Sequence, residues 1–559
     1  MPRAIYSSDA TRKTEDFVDG LRATQKGPTF DSASAEEFVA GATNESGREI
    51  PKSLGMIFDQ IEKKDEGTLI KGILDGCASF ERQHGVAPTA DVIEWALHQG
   101  YATTDQGRKK DGTLDSATSV HGDPLSLQPN RAVIAITAAI AEAIPVANYL
   151  PTDIGSNEAR LIIVSHTAGQ AYGQYKANDN MDGINSGGMY ASAQRVHTLT
   201  LETAGANSGS YDGLLTTIQT DSEHCDQTAP AATLLRNRLI GYVNGMPAFS
   251  EVPQDGTPAT GNLVGSVTIG GTTYNLTGTI TYATGAVVVT PSAPLPANTT
   301  VIVEDFMDYE IAPDLVPYVN TNATTFKLYA SPWRVLTQQS VDSRTQFANE
   351  LGLDPAAESL MAVRNQAANE RHYNVLLKAM RIASRLTPYT FDFSWTSFGE
   401  QKTRAQIWQD FSAVLGAADQ DMANNTIDHG ITHMYVPTNV MAQIIALPLE
   451  LFVPSGIVAK PGIYRLGRLF GKYEVYYAPK VVAGAAGSPT AQILCIGRST
   501  QVARCPFVLG DAVPPTVIPT AFTKQFVSGN AYYARSFTSV NPHGPSALGV
   551  ALITVSNLF

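Results

Sequence analysis

Positive charge is scarce in this chain. Its 559 residues hold 39 Lys or Arg against 52 Asp or Glu, a net charge of −13. Gripping nucleic acid needs clustered cations, so this balance excludes a chain built for that task. It does not exclude a container, because an acidic wall repels phosphate weakly and lets packed DNA slide. Cysteine is rarer still. Cys77, Cys225, Cys495 and Cys505 form no CxxC pair, so a zinc ribbon or dithiol motif is excluded. Four scattered thiols point to synthesis in a reducing compartment, with buried free cysteines. Cys495 and Cys505 fall on what read as neighbouring strands, but that spacing does not decide a pairing. Long apolar runs are missing too. The longest, Ala132 to Ala147, is broken by Glu142 and falls short of the roughly 20 residues of a membrane span. Met1 to Lys13 is polar and has no apolar signal core, so the reading is a soluble protein made in the cytosol.

The length suggests about three or four structural units at roughly 100–200 residues each. Gly (46) and Pro (32) are frequent without a repeat, which fits loops and short strands better than a helix bundle. Residues 1 to 125 are the most charged. Leu54, Ile57 and Ile61, then Val92, Trp95 and Ala96, keep helical spacing, and polar stretches such as Lys109 to Ser119 lie between. An extended, partly helical arm is expected there. Ala132 to Ile144 reads as a helix closed by Pro145. Ala159 to Val164 reads as a strand, and Gln170 to Tyr190, rich in Gly, Asn and Tyr, as a long functional loop.

Residues 256 to 303 carry no charge at all. Val267 and Ile269 alternate, Gly270-Gly271 makes a two-residue hairpin turn, and Leu276, Ile280 and Tyr282 keep even spacing. The expectation is a small antiparallel β module, exposed on its Thr-rich face. Asp354 and Pro355 then open a helix as N-cap and first helical residue. It runs without Gly or Pro to about Leu386. Its stripes, Leu360-Val363-Ala367 and Leu376-Met380-Ala383, differ in phase, as in a strut that touches different neighbours along its length. A second helix is expected over 400–427, with Ile407, Phe411, Val414 and Leu415 inward. Short strands and turns follow, and from Gln492 the chain is largely β to its end.

Four clusters invite a chemical reading and each fails it. Gly467-Arg468-Leu469-Phe470-Gly471-Lys472 is one residue short of a phosphate loop, and Tyr473 replaces the Ser or Thr that would hold Mg²⁺. It also leads into a strand rather than a helix N-terminus. His429 and His433, beside Asp428, have a chelating spacing only on a helix, and Gly430 and the strand after it break that helix. Glu370-Arg371-His372 are adjacent on a helix and point apart, so a solvated or interface salt-bridging face is expected. His224-Cys225-Asp226 lacks the geometry of a Cys-His nucleophile, since neighbours in sequence rarely form it. The expected catalytic, cofactor and metal residues are therefore none, and weight moves to a structural role.

The second half carries a resemblance. Asn349-Glu350-Leu351-Gly352-Leu353-Asp354-Pro355, then Glu358-Ser359-Leu360, resembles the region that opens the spine helix of T4-like major capsid proteins. Gly467 to Pro479, with its Tyr473-Glu474-Val475-Tyr476-Tyr477 strand, is similar to a late strand of that group. So are Arg504-Cys505-Pro506-Phe507-Val508, Asp511-Ala512-Val513-Pro514-Pro515, Ala534-Arg535-Ser536 and Asn541-Pro542-His543. Their order over residues 340 to 559 carries the likeness to tailed-bacteriophage capsid proteins.

The resemblance implies an α+β chain of the HK97-like capsid fold. It implies an N-terminal arm over 1–125, an extended-loop region over 126–250 and an exterior β module over 251–310. A peripheral domain over 311–399 would hold the spine helix 355–386, an axial domain would cover 400–500, and return strands 501–559. The implied function is self-assembly into an icosahedral head around double-stranded DNA, without catalysis or sequence-specific DNA binding. Implied partners are further copies in hexamers and pentamers, then portal, scaffolding and decoration or cement proteins, with no membrane. The implied location is the virion, after assembly in the host bacterial cytoplasm. A nanocompartment shell or another phage structural protein is the nearest alternative. A secreted β-rich binding or hydrolytic protein is a further one, and it needs an export signal or a catalytic constellation.

Overall fold

The computed structural model describes residues 13–14, 16–20, 50–102, 128–150, 157–203, 209–218, 233–352, 355–394, 402–520 and 526–558. The expected cap Asp354, the polar stretch Lys109 to Ser119 and the His224-Cys225-Asp226 cluster lie outside them. The fold mixes helix and sheet in two compact units. Unit 1 comprises Met1–Ile163 and Thr325–Phe559, and unit 2 comprises Val164–Thr324.

Unit 1 includes helices α1 (Lys52–Phe58), α2 (Lys63–His84), α3 (Ala90–Ala102) and α4 (Gln128–Ala141). Over residues 50–102 this corrects the expected extended arm. Leu54, Ile57, Leu69, Ile70, Ile73, Val92 and Ile93 are all buried, and they pack with Ile136 and Ile140 of α4. The high charge of the segment lies on the outer faces of the helices, so a charge count alone reads a packed layer as an arm. Gly72 and Gly76, one turn apart, let α2 and α4 approach closely. A Cβ at Gly72 would come within 2.6 Å of Val133. Gly85, in the left-handed conformation at φ +71°, ends α2.

The centre of unit 1 is a seven-stranded sheet in the order β13-β21-β18-β14-β17-β16-β15. These strands are β13 (Tyr389–Asp392), β14 (Ile431–Val436), β15 (Phe452–Pro454), β16 (Tyr464–Leu469), β17 (Tyr473–Tyr477), β18 (Ala491–Gly497) and β21 (Val550–Ser556). β18 is apolar without alternation because both of its faces are covered. Ile493 and Cys495 join a core with Ile407, Phe411 and Leu415 of helix α7 (Arg404–Thr426). Leu494 and Ile496 join the core of the N-terminal helices. Thr403 and Gln406 form a reciprocal capping box at the start of α7. Helix α8 spans Thr438–Ile445.

A second sheet has the order β1-β19-β20-β12. Strands β19 (Phe507–Thr520) and β20 (Val527–Val540) form a long antiparallel hairpin. Its register shifts at Val513 to Thr516, where Pro514 and Pro515 cannot donate to the ladder. β12 (Ser331–Ser340) pairs with β20 over ten residues, and β1 (Asn148–Tyr149) pairs with β19. After the short helix α5 (Val341–Gln346) comes α6, which runs Pro355–Ala383, about 43 Å at 1.5 Å per residue. It ends three residues before the expected Leu386. Cys495 lies in β18, whereas Cys505 lies outside any strand, two residues before β19, so the two cysteines are not on neighbouring strands. Cys495 and Cys505 are buried free thiols, and Cys77 is buried in the core of the N-terminal helices.

The chain passes into unit 2 within β2 (Glu158–Ala168) and returns within β11 (Val319–Tyr329), two strands that pair with each other. Unit 2 holds a closed barrel in the order β10-β3-β4-β9-β8-β7-β6-β5. Its strands are β3 (Gln194–Leu201), β4 (Tyr211–Leu214), β5 (Ile240–Val243), β6 (Met246–Glu251), β7 (Thr260–Ile269), β8 (Thr272–Thr281), β9 (Ala286–Pro291) and β10 (Val301–Phe306). Closure removes the open sheet edges on which other chains could pair. The expected hairpin at Gly270-Gly271 is present, with Ile269 opposite Thr272. The barrel reaches back to Gln194, beyond the expected start at residue 251. Its first strands put Arg195 and His197 on the buried face, and that polar pattern hides them from a search for apolar alternation. The Gln170–Tyr190 loop is pinned by Tyr172, Tyr175 and Tyr190, whose rings meet edge to face.

Candidate functional site

Helix α6 changes character halfway along. Val375, Leu376, Ala379 and Ala383 are fully buried beneath the N-terminal helices and the central sheet. The earlier stripe, Leu360, Val363 and Ala367, is only half-buried, and Met361 is 56% exposed. The segment before it is barer. Tyr329 is 66% and Leu336 52% exposed, and Val335, Val341 and Phe347 are exposed as well. β12 is also the open edge of its sheet. Residues 329 to 347 thus present large apolar groups beside an open strand edge, and Met361 adds another on α6. A second bare edge lies at β15, where Leu449 and Val458 are 72% and 81% exposed. Single exposed apolar residues need no explanation, but rows of them beside an open strand edge mark an interaction surface.

The buried half of α6 is anchored by charge. The Asp511 carboxylate, on β19, accepts from Trp95 Nε1 at 2.9 Å and Gln99 Nε2 at 3.1 Å, and pairs with Arg371 at 3.0 Å. Trp95, Arg371 and Asp511 line a cavity of about 280 Å³. One carboxylate thereby ties α3, α6 and β19 together. The Glu474 carboxylate does the same within the central sheet, holding Arg465 at 2.5 Å and Arg468 at 2.6 Å.

These ties account for the sequence candidates. Gly467 to Leu469 are the last residues of β16, and Phe470 to Lys472 turn the chain into β17. Arg468 is held by Glu474 and Lys472 by Asp419, so both cations are occupied. His433 lies in β14 against Tyr476, whereas His429 packs at Gly549, so the two histidines do not converge on a metal position. Ser499 donates to Asp428 rather than to His429, which is not the order of a nucleophile and its base. Glu370 is exposed, but Arg371 binds Asp511 and His372 bonds to Tyr435 at 3.1 Å. Two members of that trio are therefore internal anchors, not parts of a solvated face. Among the described residues no three His, Cys, Asp or Glu side chains are grouped to hold a metal, and no helix is long and apolar enough to cross a membrane.

Sequence reasoning missed Asp511 and Glu474 as anchors. The signal was present: each is a lone carboxylate in an otherwise apolar strand, and such a group needs buried donors.

No family model and no curated protein matches this chain. Solved structures do. The icosahedrally averaged capsid of jumbo bacteriophage PhiKZ aligns with TM-score 0.35 and 10% identity, over 74% of this chain and 91% of that one. The mature capsid of bacteriophage PhiM1 aligns with TM-score 0.28 and 11% identity, over 56% and 84%. The holo-SrpI encapsulin complex of Synechococcus elongatus PCC 7942 aligns with TM-score 0.26 and 12% identity, over 43% and 78%. Bacteriophage capsids, together with an encapsulin complex, are thus solved structures to which this chain is similar.

Proposed function

We propose that this chain is the major capsid protein of a tailed bacteriophage, with an HK97-like fold, assembling into an icosahedral head around double-stranded DNA. The observation that carries the reading is the strut. An anchored helix of about 43 Å exposes Met361 on its less buried half, and β12, earlier in the chain, is an open strand edge flanked by exposed apolar residues. Repeated on every copy, such surfaces are buried together when identical subunits close into a symmetric shell. In this reading α6 is the spine helix and the β19–β20 hairpin the long peripheral sheet. The seven-stranded sheet with α7 is the axial domain, and β2 and β11 are the base of the extended loop.

Charge supports the same reading. Unit 2 holds 4 Lys or Arg and 14 Asp or Glu, a net of −10 out of −13 for the chain. We place this acidic barrel on the shell exterior, away from DNA. Hexamers and pentamers of the chain, with portal, scaffolding and cement proteins, are the partners, and the virion is the location, after assembly in the host cytoplasm. No reaction is assigned.

Negative-stain microscopy of the purified chain tests the proposal. Shells, rings or sheets are expected, and monomers under every condition would overturn it. Met361→Asp sharpens the test. At an exposed position it is expected to change subunit stability by no more than about 0.5 kcal/mol. It is nevertheless expected to abolish closed shells, because it puts a charge on the bare face of α6. An undiminished yield of shells from this variant would remove that face from the interface.

A further inference from the structure

Three histidines from three separate elements meet inside unit 1. His84 is the last residue of α2, His372 lies in α6 and His433 lies in β14. They surround two stacked phenols, Tyr435 and Tyr476, whose centroids are 5.4 Å apart and tilted by 27°. The His84 Nδ1 and the Tyr476 hydroxyl are 3.1 Å apart, as are the His372 Nε2 and the Tyr435 hydroxyl. The His433 ring lies 5.8 Å from Tyr476. Its Nδ1 bonds to Thr432 Oγ1 at 2.7 Å, and its Nε2 is buried without a partner.

The surroundings suit only neutral rings. Arg465 on β16 and Arg498 beyond β18 both face the cluster. The nearby carboxylates are already engaged. Glu474 on β17 holds Arg465 and Arg468, and Asp91 on α3 holds Arg498. Burial pushes the two phenols up, so each keeps its proton and is able to donate to the lone pair of the imidazole nitrogen beside it. A protonated imidazole has no lone pair there to accept it. Burial first, then the neighbouring cations, holds His84 and His433 down to about 3, and burial alone holds His372 at about 4.

We propose that this histidine–tyrosine cluster is an acid-sensitive latch: neutral, it fastens α2 to α6 and the central sheet, and protonated, it releases α2 while the strands beneath stay folded. The latch goes beyond the capsid reading and does not depend on it.

Each ring is protonated more readily once α2 has left, so the bound form is fully favoured above the ordinary histidine range near 6.5. It loses ground as pH falls from there towards 3 to 4, by up to about tenfold per pH unit for each histidine.

Hydrogen-exchange mass spectrometry on the full chain tests this, with intrinsic rates corrected at each pH. Between pH 7.5 and 4.5 the protection of Lys63–His84 is expected to fall by about 100-fold or more, and that of Ala491–Gly497 by less than tenfold. In a variant carrying His84→Gln and His433→Gln the fall in α2 is expected to shrink at least tenfold. Should that variant not fold, exchange at the histidine C2 position in the unmodified chain reads the same three rings, and they are expected to titrate together with the loss of α2 protection. Unchanged α2 protection at pH 4.5, an equal loss in the β18 strand, an undiminished fall in the folded variant, or rings that titrate while α2 stays protected would each overturn the latch.

Discussion

Asp511→Ala is expected to destabilise unit 1 by about 3–5 kcal/mol, the range for removing one partner of a buried ion pair. The carboxylate is almost fully buried and satisfies three groups from two helices. Without it the Arg371 guanidinium stays in place as an uncompensated charge, and the Trp95 and Gln99 N–H groups lose their acceptor. Asp511→Asn retains one acceptor oxygen and is expected to cost about half as much. Adding Arg371→Met to Asp511→Ala is expected to restore part of the loss, because the stranded charge goes with it. Urea unfolding followed at the tryptophans checks all three. A loss below about 1 kcal/mol for Asp511→Ala would mean that solvent reaches Arg371 and that the anchor is superficial.

Asp305→Asn is expected to act in the opposite direction. Asp305 sits on the inner face of β10, fully buried, with one oxygen accepting from its neighbour Phe306 N–H at 2.7 Å and the other without a partner. Burial, and to a smaller extent Glu251, pushes its carboxyl up to about 8 from an ordinary value of 3.8. A carboxyl raised by folding favours the folded barrel below its unfolded value and opposes it as pH rises towards 8. Unit 2 should therefore lose about 1.4 kcal/mol per pH unit above roughly pH 4, on the order of 4 kcal/mol by pH 7. Asn carries no such charge and keeps the bond from Phe306. The variant should then be more stable than the natural chain by about 3–4 kcal/mol at pH 7 and nearly equal to it at pH 3.5. Thermal unfolding of the barrel at the two pH values measures the difference. A gain that persists undiminished at pH 3.5 would show that ionisation is not its cause.

The elements that could be read in advance share one feature: their signals are local. Pro355 and the absence of Gly and Pro after it announce α6, and Gly270-Gly271 announces a turn whatever surrounds it. The elements that were misread depend on distant partners. Arg195 and His197 look like surface residues until a barrel closes over them. The helices from Lys52 to Ala102 look like an arm until α4, a distant segment, fills the groove at Gly72 and Gly76.

The candidate surface divides in the same way. Sequence showed that α6 has two apolar stripes out of phase, but not which stripe would be covered within one subunit. That is settled by where β18 and the N-terminal helices lie, because burial is a property of neighbours and not of the helix itself. The Asp511 and Glu474 anchors and the meeting of His84, His372 and His433 belong to the same class. Their members come from segments 392 residues apart in the case of His84 and Tyr476. By itself, then, the sequence determined helix, turn and strand wherever short-range sterics and periodicity suffice, together with the acidic, cysteine-poor composition. Only the tertiary structure decided which charges are neutralised, which histidines are held neutral and which apolar face is left bare, because each of those depends on what long-range packing brings within a few ångströms.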